Sequence, residues 1–283
     1  LSLHDALPIS TLLTLNSQWQ GCESKILSTG SQKLASFLFG TKPYLTIKQI
    51  DSNILKITNG VYALDVLSEG FLNTLNSLKD TDASKIMTVG ATCDTELAPV
   101  SYLNHLYGGE MAVLWFDAHG DLNTPESSPS GHFHGMILRT LLGEGPEEFC
   151  EHIKKPLLDR QVFMAGIRDL DEIESEYINK SNITVGLVDE ALVDLIVNAG
   201  FSKVYIHIDV DVLNPKDFKD MLIHTSGGPT CDELTQCLAS ISKKLDIVGL
   251  GVVEYCGKQK ESALKIKQML QNSGVMDNLD LDK

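Results

Sequence analysis

The chain has 283 residues, of which 43% are hydrophobic and 22% are charged, and its formal net charge at pH 7 is −15. This length and balance are typical of a folded globular domain and exclude a mainly disordered chain. The negative charge argues against nucleic acid or an anionic membrane as a partner, and no apolar run is long enough to span a bilayer. The six cysteines form no C-x-x-C pair, so we expect reduced thiols and a cytoplasmic protein.

The first ten residues differ in character from the rest of the chain. Residues 1–10 have neither an initiator Met nor the basic start of a signal peptide. We expect this segment to be a non-native leader. We expect residues 11–283 to form a single domain, because no linker, internal repeat or shift in composition interrupts them.

Short apolar runs alternate with helix-like segments along the chain. The expected strands are residues 11–15, 62–66, 86–89, 112–116, 162–165, 184–187, 204–208 and 247–253. The expected helices are residues 31–39, 67–78, 99–106, 135–142, 172–179, 189–199, 230–244 and 258–271. This alternation predicts right-handed βαβ units, and the continuously apolar strands indicate a parallel sheet that is covered on both faces. The fold class is therefore α/β, with three α/β/α layers.

Two of these strands end in acidic residues spaced two apart. Asp117, His119 and Asp121 follow one strand, and Asp209 and Asp211 follow another. Alternate residues of an extended segment point the same way, so each group is expected to converge on one point. A single D-x-D is most often loop acidity or a helix cap. Two such groups at the carboxyl ends of strands, with a His between the acids of the first, favour a divalent metal site.

The residue types at these positions indicate the chemistry of the site. Carboxylate oxygens suit Mg²⁺, Ca²⁺ or Mn²⁺, and an imidazole shifts the preference towards Mn²⁺ and later transition metals. Four Asp and one His can hold a pair of ions, and such a pair lowers the pKa of a shared water molecule. The sequence therefore predicts metal-assisted hydrolysis.

The motifs D-A-H-G-D at 117–121 and H-I-D-V-D at 207–211 resemble the metal motifs of the ureohydrolase family. This family includes arginase, agmatinase and formimidoylglutamase, and the resemblance extends from about residue 89 to residue 254. It implies a single α/β domain with a mostly parallel sheet of about eight strands. It also implies a metal-binding hydrolase that carries two Mn²⁺ ions, acts on a guanidinium or amidine carbon and forms a homo-oligomer.

The resemblance also implies which residues bind the metal ions. Asp117 and Asp209 would bridge both ions. Asp121 would complete the shell of one ion, and His119 and Asp211 would complete the shell of the other.

The family's remaining ligand is a His that ends a Gly-Gly-Asp-His segment. The corresponding residues 90–93 are G-A-T-C here, so that Cys93 occupies the position of the His. A Cys near a strand end is more often a small buried hydrophobe, but a thiolate ligand would favour Zn²⁺, Fe²⁺ or Co²⁺ over Mn²⁺. A similar Cys occurs in an arginase-like branch that hydrolyses Nω-hydroxy-L-arginine, which makes that compound a candidate substrate.

Further matches to the family concern the amino-acid part of the substrate. The loop D-L-N-T-P at 121–125 resembles the arginase version, which implies that Asn123 and Ser130 bind an α-carboxylate. His132 stands where arginases have a second Asn, and its N–H can also donate to a carboxylate. Asp171 and Glu174 match the segment that contacts the α-ammonium group, although the N-terminus of a helix explains Glu174 nearly as well.

Three further residues match the reacting end of the family's site. Thr230 and Glu254 match residues of the guanidinium pocket, and a carboxylate such as Glu254 can bind a guanidinium through two hydrogen bonds. His134 matches the proton shuttle, and its place just after the first metal motif favours general acid–base work. The candidate catalytic residues are therefore His134 and Glu254.

The leading interpretation is a binuclear-metal hydrolase of arginine metabolism. It would cleave a small cationic guanidino substrate, arginine or a close derivative, to urea or hydroxyurea plus ornithine. Two alternatives stay open. One is a catalytically inactive binding or regulatory protein with the ureohydrolase fold, which the departures at Cys93 and His132 motivate. The other is an amidinohydrolase for a different guanidino or formimino compound.

Overall fold

The computed structural model describes residues 11–52 and 54–281, and the expected leader at residues 1–10 lies outside the described residues. The strands within these ranges are β1 (Thr11–Asn16), β2 (Leu45–Thr46), β3 (Ile57–Thr58), β4 (Val61–Tyr62), β5 (Lys85–Gly90), β6 (Ala112–Phe116), β7 (Val162–Ala165), β8 (Thr184–Gly186), β9 (Lys203–Asp209) and β10 (Asp246–Val253). The α-helices are α1 (Lys25–Phe39), α2 (Leu64–Lys79), α3 (Leu97–Leu106), α4 (Ile137–Leu141), α5 (Glu147–Cys150), α6 (Glu172–Lys180), α7 (Leu192–Asn198), α8 (Cys231–Lys244), α9 (Lys260–Asn272) and α10 (Val275–Asn278).

Eight of these strands form one sheet in the order β2-β1-β5-β10-β9-β6-β7-β8. Every described pairing in this sheet is parallel, which confirms the predicted α/β class. β3 and β4 form a separate antiparallel pair. The central strands are buried and mostly apolar because helices cover both of their faces.

One predicted strand, residues 62–66, is wrong. The chain turns at Ala63, where φ is +56°, and α2 begins at the next residue. Leu64, Leu67 and Phe71 are buried at helical spacing, so the apolar residues of this run belong to one face of a helix. The eighth strand of the sheet is instead β2, a two-residue edge strand that pairs with β1.

The helices pack on the two faces of the sheet and form one large hydrophobic core on each face. One core joins α1, α7, α8 and α9 to the sheet, and it includes Leu34, Ile196 and Ile266. The other joins α2, α3 and α4 to the opposite face, and it includes Leu75 and Val100. Apolar side chains alternate between these cores along central strands such as β6, as the pleat of a strand requires. The predicted three-layer architecture is confirmed.

The topology places the carboxyl ends of five central strands side by side. β5, β10, β9, β6 and β7 are consecutive in the sheet, and the loops that follow them leave at the same edge. Ligands of open parallel sheets bind at this edge. Among the described residues, no helix is long and apolar enough to cross a membrane.

Candidate metal centre and active site

The acidic motifs and Cys93 meet at the carboxyl edge of the central strands. Asp117 directly follows β6, Asp209 ends β9 and Glu254 directly follows β10. Cys93 begins a short 3-10 turn, Cys93–Glu96, after β5. Because these four strands are neighbours, residues distant in the sequence come together here.

A first group of potential ligands contains Cys93, Asp117, Asp121 and His207. One ligand atom from each lies within 4.8 Å of the others, and all four residues are buried. Three atoms in the group, Asp117 Oδ2, Asp121 Oδ2 and His207 Nε2, have no hydrogen-bond partner among the described residues. Burying unpaired polar atoms is costly, and a cation would satisfy all three.

The site also holds several buried carboxylates close together. Burial, and next the charge of Asp117, raises the pKa of Asp121 well above its ordinary value. Burial, and next the charge of Asp211, does the same for the pKa of Asp209. A positive ion that lies between carboxylates held this closely favours their charged form. The oxygen, nitrogen and sulfur donors present are those of divalent transition metals, so the residues fit such ions.

A second group of potential ligands contains Asp117, His119 and Asp211. His119 Nδ1 lies 3.3 Å from Asp117 Oδ1 and 3.1 Å from Asp211 Oδ2. The backbone N–H of His119 donates to Asp117 Oδ1 at 2.7 Å, and that of Ala118 donates to Asp211 Oδ1 at 3.2 Å. Asp117 belongs to both groups, as a bridging carboxylate would.

The expectation that Asp117, His119 and Asp121 converge on one point is therefore wrong in part. Asp121 faces the first group, and His119 faces the second. The chain beyond β6 is no longer extended, and at Asp121 φ is +53°, in the left-handed region. Such strain at a polar residue is typical of functional sites.

Cys93 is almost fully buried and contacts two carboxylates. Its Sγ lies 3.3 Å from Asp209 Oδ2 and 3.6 Å from Glu254 Oε1. Burial, and then the charges of Asp121 and Asp209, raise the pKa of the Cys93 thiol well above its ordinary value. A bound metal ion reverses this balance and favours the thiolate. The structure brings Cys93 among the other candidate ligands, and its ligation stays a prediction.

Glu254 and His134 lie next to the first group. The carboxylate of Glu254 accepts a hydrogen bond from the backbone N–H of Cys93 at 3.3 Å, and its backbone is left-handed with φ of +62°. His134 Nδ1 lies 3.6 Å from Glu254 Oε1. Burial lowers the pKa of His134, but the neighbouring Cys22 and Glu254 outweigh burial and raise that pKa well above its ordinary value.

A cavity of about 270 Å³ opens above these residues. This volume lies just below the roughly 300–1,000 Å³ of many small-molecule sites. Carboxylates dominate its polar lining, which suits a cationic ligand. Five of the predicted substrate residues line it: Asn123, Ser130, His132, Asp171 and Glu174.

Local hydrogen bonds position these substrate residues. Asn123 Nδ2 donates to Asp171 Oδ2 at 2.9 Å. Asp171 and Glu174 form a reciprocal capping box at the N-terminus of α6, and Glu174 also accepts from the backbone N–H of Leu122 at 3.0 Å. His132 Nε2 lies 3.2 Å from Glu23 Oε2. Helix capping therefore explains Asp171 and Glu174 in part, although both still face the cavity.

The structure places Thr230 away from this cavity. Its side chain caps α8 by accepting from the backbone N–H of Glu233 at 3.2 Å. It lines a separate cavity with Asp217 and Lys265. The match to a guanidinium-pocket residue at Thr230 therefore has no support in the geometry, because the motif T-C-D-E serves as a helix start.

Sequence reasoning did not assign several residues that shape the site. His207 contributes a ring nitrogen to the first ligand group, and Cys22 lies with His134 and Glu254 in another group of potential ligands. The two-residue spacing between His207 and Asp209 was a usable signal, whereas nothing in the sequence marks Cys22. The guanidinium of Arg168 holds the loops beside the site together. It donates hydrogen bonds to the backbone carbonyls of Gly166, Asp211, Val212, Thr225 and Ser226.

Comparison with known proteins assigns the chain to a family. A sequence model of the arginase family matches residues 83–271. The arginase of Staphylococcus aureus (strain MRSA252) is 31% identical over 179 residues, which cover 59% of each chain. The arginase of Plasmodium berghei is 29% identical over 227 residues, which cover 73% of this chain and 63% of that protein. The matched region thus spans about three fifths of these relatives, and the chain belongs to the arginase family.

Solved structures share the whole fold. The arginase of Entamoeba histolytica in complex with L-ornithine superposes with a TM-score of 0.82 at 20% identity, covering 93% of this chain and 98% of that one. A putative agmatinase from Clostridium difficile superposes with a TM-score of 0.74 at 16% identity, covering 97% and 98%. At these identities the likeness establishes the fold alone, including the eight-stranded sheet.

Proposed function

We propose that the protein hydrolyses the guanidinium group of arginine or of a close derivative such as Nω-hydroxy-L-arginine. The products would be ornithine plus urea or hydroxyurea. One observation carries the proposal: an acid-lined cavity reaches Asp121, and buried carboxylate and imidazole atoms of Asp117, Asp121 and His207 lack hydrogen-bond partners among the described residues. Family membership supports the same reaction class.

Residues of the two groups of ligands, together with Asp209 beside Cys93, would hold two divalent ions. Cys93, Asp117, Asp121 and Asp209 would hold one ion. His119 and Asp211 would hold the other, together with Asp117 and Asp209. When bound, such a pair supplies a water molecule of lowered pKa that can attack a guanidinium carbon near neutral pH.

The remaining residues of the cavity would bind and orient the substrate. Glu254 is buried beside the ligands and would accept hydrogen bonds from the guanidinium. Asp171 and Glu174 would face the α-ammonium group. Asn123 and Ser130, with the N–H of His132, would donate to the α-carboxylate. These contacts would favour an amino acid over agmatine, which lacks the carboxylate.

His134 would deliver the proton that the leaving amine requires. It lines the cavity, and its Nδ1 lies 3.6 Å from Glu254 Oε1, so the carboxylate stabilises the protonated imidazole. Proton transfer by a positioned histidine contributes about 10²–10⁴-fold to a rate.

The choice of metal ion would depend on the donor atoms. Oxygen ligands and one imidazole favour Mn²⁺, the ion expected from the family. A thiolate at Cys93 would shift the preference towards Zn²⁺, Fe²⁺ or Co²⁺. Metal analysis of the wild type against Cys93→His tests this point, because the change should move the preference towards Mn²⁺.

The decisive experiment offers the metal-loaded protein L-arginine, Nω-hydroxy-L-arginine and agmatine, and it measures urea, hydroxyurea and the amine product. We expect turnover of one of the two amino acids and little of agmatine. Absence of turnover with two ions verified per chain would refute the proposal and favour the inactive binding or regulatory protein. Fewer than two ions per chain after exposure to Mn²⁺, Zn²⁺ and Fe²⁺ would point the same way.

The protein would be a single cytoplasmic domain that forms a homo-oligomer. Strands from Thr11 to Val253 contribute to one sheet, which supports a single domain over residues 11–283. A cytoplasmic location rests on the six unpaired cysteines, and a homo-oligomer rests on family analogy. Light scattering of the purified chain tests the oligomer.

A further inference from the structure

A histidine without an assigned role lies beneath the first ligand group. His207 lies on β9 two residues before Asp209, so the two side chains leave the strand on the same face. It is fully buried, and its ring stacks on Trp115 with the ring centroids 3.5 Å apart. Its Nε2 lies 3.6 Å from Asp117 Oδ2, which is too far for a hydrogen bond.

The other ring nitrogen of His207 is held by a buried carboxylate. Nδ1 hydrogen-bonds with Glu96 Oε2, and Glu96 Oε1 accepts from the hydroxyl of Tyr205 at 2.5 Å. With the proton on Nδ1, the lone pair of Nε2 faces the ligand group. Metal-bound histidines almost always donate their second N–H to a carboxylate or carbonyl, and this arrangement has that form.

The unpartnered atoms indicate what would occupy the space above His207. Nε2 of His207 and the Oδ2 atoms of Asp117 and Asp121 are buried without hydrogen-bond partners among the described residues. Three electron-rich atoms held together repel one another in a site of low dielectric constant. A proton on Nε2 would satisfy His207 and attract Asp117, but it would leave Asp121 without a partner. One divalent ion would satisfy all three atoms.

We propose that His207 Nε2 is a ligand of one of the two metal ions, with Cys93, Asp117 and Asp121. Glu96 is then a positioning residue that fixes the tautomer and the orientation of the imidazole. This inference rests on the proposed function, because both require divalent ions in this site. The ion that Cys93 would bind would then also have an imidazole ligand. In the family, a His at the position of Cys93 supplies that imidazole.

The test measures the ligands directly. X-ray absorption fine structure of the Zn²⁺-loaded protein counts imidazole and sulfur scatterers, and competition with a chelator gives the metal affinity. His119→Gln should keep about half of the imidazole signal, because His207 still contributes. His119→Gln combined with His207→Gln should lose the rest. His105→Gln, at an exposed histidine on α3, is the control and should change neither measurement.

Glu96→Gln provides a second variant that leaves His207 in place. It should keep the imidazole signal but weaken the binding of one ion by about 10–100-fold, the usual effect of losing a carboxylate behind a ligating histidine. If His207→Gln does not fold, wild type, His119→Gln and Glu96→Gln decide the question without it. A His119→Gln protein that binds two ions without any imidazole signal would overturn the inference.

The outcomes separate this inference from the proposed function. Turnover of arginine with His207 absent from the metal shell would overturn the inference alone. Two bound ions with His207 in the shell and no turnover would overturn the proposed function alone. A wild-type protein that binds no divalent ion would overturn both.

Discussion

Replacing Cys93 with Ala separates a metal-binding thiolate from a small buried side chain. Cys93 has 1% of its surface exposed and belongs to the core on the α2 and α3 face of the sheet. Cys237 on α8 has 0% exposed and belongs to the core on the opposite face. Both are free thiols, so Cys237→Ala removes the same atom from an equally buried position that is away from the candidate metal ligands. The pair of variants therefore compares the same deletion beside the candidate ligands and away from them.

The expected magnitudes differ only when metal is present. Without metal, each variant should lose about 1 kcal/mol of unfolding free energy, as small deletions in a core do. With metal far above its dissociation constant, the loss of a ligand should lower affinity at least as much as the loss of a carboxylate behind a ligand, about 10–100-fold. The metal-dependent stabilisation of Cys93→Ala should then fall by about 1.4–2.8 kcal/mol, and that of Cys237→Ala should not change.

The assay is denaturant unfolding of wild type and both variants, each after chelation and again with saturating Zn²⁺ and Mn²⁺. If Cys93 ligates, the deficit of Cys93→Ala grows on metal addition, and it grows more with Zn²⁺ because thiolates prefer that ion. Equal deficits for the two variants in every condition would show that the thiol only fills space.

Three further predictions use other contacts of the described structure. Glu254→Gln should lower kcat/KM for arginine by at least about 10²-fold, because charge-assisted hydrogen bonds are worth about 1.5–3 kcal/mol each, while metal content stays unchanged. Gly251→Ala would place a Cβ 1.2 Å from Glu96 Oε1 and should cost about 3 kcal/mol of unfolding free energy, whereas Gly135→Ala, with open space at its Cβ, should cost less than about 0.5 kcal/mol. Arg168→Lys cannot keep all the carbonyl contacts and should speed amide exchange in residues 222–228, measured by mass spectrometry.

The sheet was largely predictable because its central strands are buried on both faces. Residues 112–116 and 162–165 are strands with the expected bounds, because each is an apolar run of strand length that is buried on both faces of the sheet. Residues 62–66 misled because a short apolar run also suits one face of a helix. β2 was not predicted because a strand of two residues at a sheet edge, one half-buried and one exposed, carries no periodic signal.

The candidate metal site was predictable as far as its motifs reach. Period-two spacing and the family resemblance both pointed to Asp117, Asp209 and their neighbours, and the structure brings them together. The division of the first motif between two groups was not predictable from spacing, because it depends on the left-handed turn at Asp121. Thr230 shows the opposite error, in which a motif match fell on a residue that the fold uses as a helix cap.

The hydrogen bonds among Glu96, Tyr205 and His207, beneath the metal site, depend on the order of the strands in the sheet. No local sequence pattern contains that order. Glu96 follows β5, whereas Tyr205 and His207 lie on β9, and β10 runs between them. The carboxylate reaches across β10 only because Gly251 has no side chain, and the Tyr205 ring lies where a Cβ of Gly249 would come within 2.1 Å of it. In the sequence these glycines indicate only a weakened strand. In the fold they let a buried carboxylate orient a histidine towards the ligands, so the donor set of this site is a property of three neighbouring strands.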